Sequence, residues 1–110
     1  MSLNELRDIA FLTATEHGWW DSDEVNIPEK LALMHSELSE ALEEYRAGHP
    51  CSLVYESPTG KPEGFGVELA DTIIRILDLC GFLDLDIESI VHQKMQYNNS
   101  RPYKHGGKKC

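Results

Sequence analysis

Cysteine is scarce in this 110-residue chain, and Cys51, Cys80 and Cys110 form no Cys-x-x-Cys pair. An odd count without paired spacing gives neither a disulfide framework nor a thiolate zinc site, and it points to a reducing, cytoplasmic setting. Cys80 falls on an apolar helical face, where a thiol behaves as a small core residue. No apolar run approaches the ~20 residues of a membrane-spanning helix, and none reads as a secretion signal. Basic residues are also few: 10 Lys and Arg against 19 Asp and Glu, a net charge of −9. So acidic a chain repels polyanions, and nonspecific binding to nucleic acid or to an acidic membrane is not expected. The bases are unevenly placed. Residues 94–110 hold five of the ten and no acid. An acidic body with a basic end suits a protein that holds metal in one part and phosphate in another.

What is present is ordinary for one folded domain spanning residues 1–110, with 41% hydrophobic and 26% charged residues. The periodicity predicts four helices. The first covers about 2–17, opened by a Ser2/Glu5 capping box and closed by Gly18. Trp19 and Trp20 follow, then a polar connector to about residue 26. Adjacent tryptophans plug a helix or subunit interface, or one of them stacks on a nucleobase; Trp20 is the candidate for the second role. The second helix starts at Ile27-Pro28 and stops near Ala47, before Gly48-His49-Pro50. A loop rich in Pro, Gly, Ser and Thr spans 48–63, long enough to suggest a lid or a bridge between subunits. The third helix covers about 65–80 and ends at Gly81. The fourth covers about 87–99, capped by Asp84 or Asp86. Residues 100–110 read as a basic tail.

Two helices carry paired acids. In the second, Leu31, Met34, Leu38, Ala41, Leu42 and Tyr45 make the apolar side, and Glu37, Glu40 and Glu44 lie about a quarter-turn away. Glu37 and Glu40 are stacked one turn apart, which costs roughly 0.2–0.5 kcal/mol unless water or a cation intervenes. Alone, such a face is a solvated acidic surface. The third helix changes that reading. It is apolar around most of its circumference, and its narrow polar strip is Glu68, Asp71, Arg75 and Asp78. Its acids therefore belong at the edge of a core, where carboxylates need a partner or a metal. Two such helices packed antiparallel aim four carboxylates at one point. Oxygen donors of that charge suit Mg²⁺, or Mn²⁺, and not Zn²⁺. On the fourth helix Lys94 and Asn98 interrupt the stripe Ile87, Ile90, Val91 and Met95. A lysine there can snorkel, but with Asn98 on the same side one turn later the pair reads as a phosphate and sugar contact. Arg101 is close enough to reach the same anion.

The spacing Glu37-x-x-Glu40 … Glu68-x-x-Asp71 resembles the signature of the all-α nucleoside triphosphate pyrophosphohydrolases, the MazG-like group. The string Gly60-Lys61-Pro62-Glu63-Gly64 running into Glu68-Leu69-Ala70-Asp71 is similar too. So is the ending Lys94-x-x-x-Asn98-x-x-Arg101-Pro102-Tyr103-x-His105-Gly106-Gly107-Lys108. The resemblance spans about residues 27–109. It implies Mg²⁺-dependent hydrolysis of a (deoxy)nucleoside triphosphate to the monophosphate and pyrophosphate. Glu37, Glu40, Glu68 and Asp71 would be metal ligands in the catalytic centre, and Lys94, Asn98 and Arg101 would contact substrate. It also implies an antiparallel bundle of four main helices completed by homo-oligomerisation, as a dimer or tetramer. Two positions depart from the pattern. Ser36 stands where many members carry a further acid, which leaves the water-activating base unassigned. Arg75 stands where some pyrimidine-preferring relatives carry an aromatic. Three rivals are a di-iron bundle, a non-catalytic nucleotide or metal binder, and a helical interaction module. The first wants Glu-x-x-His pairs, and neither acidic motif is followed by one.

Overall fold

In the computed structural model the described residues are 1–22 and 24–103. The expected tail beyond Tyr103, with Cys110 and the His105 to Lys108 part of the signature, lies outside them. Four helices dominate: α1 (Leu3–Glu16), α2 (Ile27–Arg46), α3 (Phe65–Phe82) and α4 (Ile87–Ser100). The 48–63 segment is more ordered than a loop. It forms a small antiparallel hairpin, β1 (Tyr55–Glu56) and β2 (Pro62–Glu63), with Tyr55 opposite Glu63.

Local chemistry sets the helix ends. The Ser2/Glu5 capping box opens α1, and Gly18 leaves it at φ 81°. Asn26 caps α2 by accepting from the Glu29 N–H, and Gly48 leaves it at φ 84°. Asp86, not Asp84, caps α4. Asp84 instead takes the left-handed position after α3, at φ 53°, a conformation Asp tolerates better than most residues. Gly81 does not end α3, which runs on to Phe82. Its lack of a side chain serves packing. A Cβ there would sit 2.5 Å from Phe11 Cβ and 3.3 Å from the Arg7 carbonyl oxygen, so α1 crosses α3 at this point.

The α3 helix is central, with α1 and α2 both packed on it. Along α2, Lys30 faces Asp78, Glu37 faces Asp71 and Arg75, and Glu40 faces Glu68. The order reverses along α3, so the two helices are antiparallel. The start of α4 docks on the first turns of α1. Glu88 accepts from the Leu3 N–H at 3.0 Å, Asp86 accepts from Asn4 at 2.9 Å, and the Leu85 carbonyl accepts from Arg7 at 2.8 Å.

Only part of the apolar side expected of α2, Ala41 and half-buried Met34, is covered within the chain. Ala41 is buried and Glu37 and Glu44 are half-buried, while Leu31, Leu38, Leu42 and Tyr45 are exposed. The small side chain of Ala41 lets the acid-bearing stripe approach α3, and this leaves the leucine stripe unpartnered within the chain. On α3, Leu77, Leu79 and Cys80 are buried, but Ile73 and Ile74 are each more than half exposed. On α4, Ile90 and Met95 are exposed as well.

Gly81→Ala tests the α1–α3 crossing. The clash involves Phe11 Cβ and backbone, which move only with the helix. The strain of about 1–3 kcal/mol therefore outweighs the ~1 kcal/mol gained in helix propensity. A lowered urea midpoint is expected; a raised one would show that the helices do not approach this closely.

Candidate metal centre

Glu37 from α2 and Glu68 and Asp71 from α3 each place a carboxylate oxygen within 4.8 Å of the others. The register follows from the two i, i+3 pairs and the antiparallel packing. Glu68, in the first turn of α3, is buried at 7% exposure, and Asp71 is half-buried. Glu40 lines the same cleft but is exposed; its charge still acts on Glu68. Three of the four expected ligands thus converge, and the fourth stands at the rim.

Crowding shows in the acids' protonation. Burial pushes the Glu68 carboxyl up to about 7, helped by a hydrogen bond to Glu37 and by the charges of Glu40, Asp71 and Glu37. Asp71 is raised as well, by burial and by Glu37, against the opposing pull of Lys61 and Arg75. Glu37 has a second neutralising partner: Arg75 Nε donates to its Oε1 at 2.9 Å. One guanidinium thus offsets part of the charge of three acids. Oxygen-only donors at this spacing, short of positive charge, fit a hard divalent cation.

The acids form one end of a cleft of about 1070 Å³ between α1 and α2. Farther along, Leu6, Ile9, Trp19 and Trp20 line it together with the charged Lys30 and Asp78. Trp20 is held by the protein itself. Its ring stacks on Phe82 at 4.2 Å and 8°, and its indole N–H donates to Asp78 at 2.8 Å. Lys30 Nζ lies 4.5 Å over the same ring, so Phe82 and Lys30 take up the faces a stacking base would need, and the packing is that of an interface plug. The exposed Trp19 is the freer aromatic of the cleft.

The fourth-helix residues lie elsewhere. Lys94, Asn98 and Arg101 do not line the cleft. Lys94 and Arg101 both lie against the Tyr97 ring, at 4.8 and 5.6 Å. Two cations at the acidic centre escaped the sequence reading of function. Arg75 was legible as part of the polar strip, one turn after Asp71. Lys61 carried no periodic signal, because a hairpin delivers it.

No family model, curated protein or solved structure matches this chain. The geometry of the site therefore carries the functional argument.

The raised Glu68 carboxyl makes stability pH-dependent. Its ordinary value is 4.5 and its folded value about 7, so between these pH values the folded state binds more protons than the unfolded one. Stability then falls as pH rises through that window and levels off above it. In metal-free buffer the urea midpoint should drop from pH 5 to about 7.5, and Glu68→Gln should flatten the drop. Equal slopes for the two proteins would show that Glu68 ionises normally.

Proposed function

We propose that this chain is a Mg²⁺-dependent nucleoside triphosphate pyrophosphohydrolase of the MazG-like kind. The observation that supports it best is the meeting of Glu37, Glu68 and Asp71 from two helices at the acidic end of a cleft that Trp19 and Trp20 also line. A nucleoside triphosphate would lie with its phosphates toward the acids and their metal and its base toward Trp19 and the apolar side chains beside it.

Glu37, Glu68 and Asp71 would hold the metal, with Glu40 joining from the rim. Bound Mg²⁺ supplies a bound water of lowered pKa and neutralises charge developing on the phosphates. The protein's part is positioning. The α2–α3 packing fixes the carboxylates before substrate arrives, so little reorganisation is needed at the moment of reaction. Attack at the α-phosphorus then releases pyrophosphate. Ser36 offers no carboxylate, so one of the cluster acids is left as the acceptor of the water's proton.

A homo-oligomer is part of the proposal. Among the described residues only Ala41, Leu77, Leu79 and Cys80 form the buried apolar core, while Leu31, Leu38, Leu42, Ile73 and Ile74 are all at or above 46% exposed. Such faces need a cover, and a second copy supplies the same leucine stripe. In that assembly α4 of one copy can bring Lys94, Asn98 and Arg101 to the cleft of the other. The alternative reading, a non-catalytic nucleotide or metal binder, keeps the site and lacks turnover.

Two experiments decide. With Mg²⁺ and a panel of nucleoside triphosphates, pyrophosphate is the expected product; Asp71→Asn and Glu37→Gln should each lower its release about 100-fold or more while the fold survives. Release of phosphate instead, or full activity in either variant, would remove the proposal. In the second, Asp71→Asn and Lys94→Ala proteins are each assayed alone and then after mixing and refolding together. Recovered activity is expected if α4 acts in trans, and no recovery would confine each site to one chain.

A further inference from the structure

The cleft's cations are not equivalent. Among the described residues Lys30, Lys61 and Arg75 line it. Lys30 is engaged at the aromatic end, with its Nζ 4.5 Å over the Trp20 ring. Arg75 is committed to Glu37 at 2.9 Å. Lys61 makes no side-chain hydrogen bond, salt bridge or ring contact among the described residues, yet its charge is felt at Asp71. It is the cation of the acidic end still available to a ligand.

An exposed lysine on a loop is usually a solvated surface group. The backbone beneath Lys61, however, is fixed at several points. The Lys61 N–H donates to Ser57 Oγ at 3.2 Å and its carbonyl accepts the Ser57 N–H at 2.9 Å. The next two residues form β2, paired with β1. Gly64, at φ 139°, lets the chain pass against the Leu53 carbonyl oxygen, where any Cβ would collide. Finally, one α2 carboxylate ties down the other limb. Glu44 accepts from the Tyr55 hydroxyl at 2.6 Å through Oε1, and pairs with His49 Nδ1 at 2.6 Å through Oε2. Glu44 follows Glu40 by one turn, so the helix that carries the acidic motif also anchors the hairpin.

We propose that Lys61 is a phosphate-binding residue of this cleft, presented from its own chain by a hairpin that Glu44, Tyr55 and His49 hold in place. This rests on the pyrophosphohydrolase reading. A triphosphate approaching three crowded carboxylates meets like charge, which one divalent ion offsets only in part. An ammonium lining the same cleft as Asp71 can donate up to three hydrogen bonds to non-bridging phosphate oxygens and oppose the charge that gathers on departing pyrophosphate. Arg75 spends its Nε–H on Glu37 and has only its Nη groups left for the same anion. Tyr55 and Glu44 are positioning residues: they act on the ligand only through where they place Lys61.

The test uses the full chain, with Mg²⁺ alone and then Mg²⁺ with inorganic tripolyphosphate, followed by calorimetry, beside hydrolysis assays on the same preparations. Lys61→Ala should weaken tripolyphosphate binding about tenfold or more and leave the affinity for Mg²⁺ alone unchanged; Lys61→Arg should keep most of the binding. Tyr55→Phe should weaken tripolyphosphate in the same direction, and the double variant should be no worse than Lys61→Ala. Wild-type hydrolysis with unaltered tripolyphosphate binding in Lys61→Ala overturns the role of Lys61 and leaves the hydrolase reading intact. A wild-type protein that neither hydrolyses triphosphates nor binds tripolyphosphate overturns both. Strictly additive losses in the double variant would overturn the positioning role of Tyr55.

Discussion

Glu68 sits inside the α2–α3 interface, in the first turn of an otherwise apolar helix, and much of the structure is arranged around that burial. Once a carboxylate is placed there, Glu37 must approach it, because Ala41 brings the acid stripe of α2 against α3. Two acids at that distance hold the Glu68 carboxyl up, and Arg75 offsets part of the charge by donating to Glu37. The cost falls on α2: turning its acids inward turns Leu38 and Leu42 outward. The acidic centre and the unpartnered leucine face are therefore two sides of one rotation. A chain that builds such a centre has to find cover for the leucines elsewhere, which ties the proposed oligomer to the proposed metal site.

Much of this was readable from residues. Caps at Ser2 and Asn26 and stops at Gly18 and Gly48 mark the helices because they satisfy or bend the backbone locally. The pairing of Glu37 with Glu68 and Asp71 followed from i, i+3 spacing on two helices that had to pack. The rotation of α2 was not readable. Periodicity finds an apolar stripe but cannot say whether the neighbour that covers it belongs to the same chain. The same blindness affects α4, where Lys94 and Asn98 were expected beside the acids and instead stand outside the cleft. Gly81 was misread as a stop because a glycine near a helix end has two uses, and only the distance to Phe11 separates them. The hairpin was missed because two-residue strands are too short for any alternation to show.

The remaining question is why a protein would keep so awkward a cluster. A purely structural interface at this point would be better served by Gln or an aliphatic side chain, since burying ionisable groups gains little over well-packed apolar ones. The protein instead keeps Glu68 there, its carboxyl pushed up to about 7 by burial and by the neighbouring acids. Arg75 holds one oxygen of Glu37. The arrangement is poorly tuned for stability, which is what the proposed metal site would explain. Local rules that a sequence breaks without structural gain tend to mark its working part. Here the broken rule is the burial of acid against acid, and it lies in the wall of the cleft.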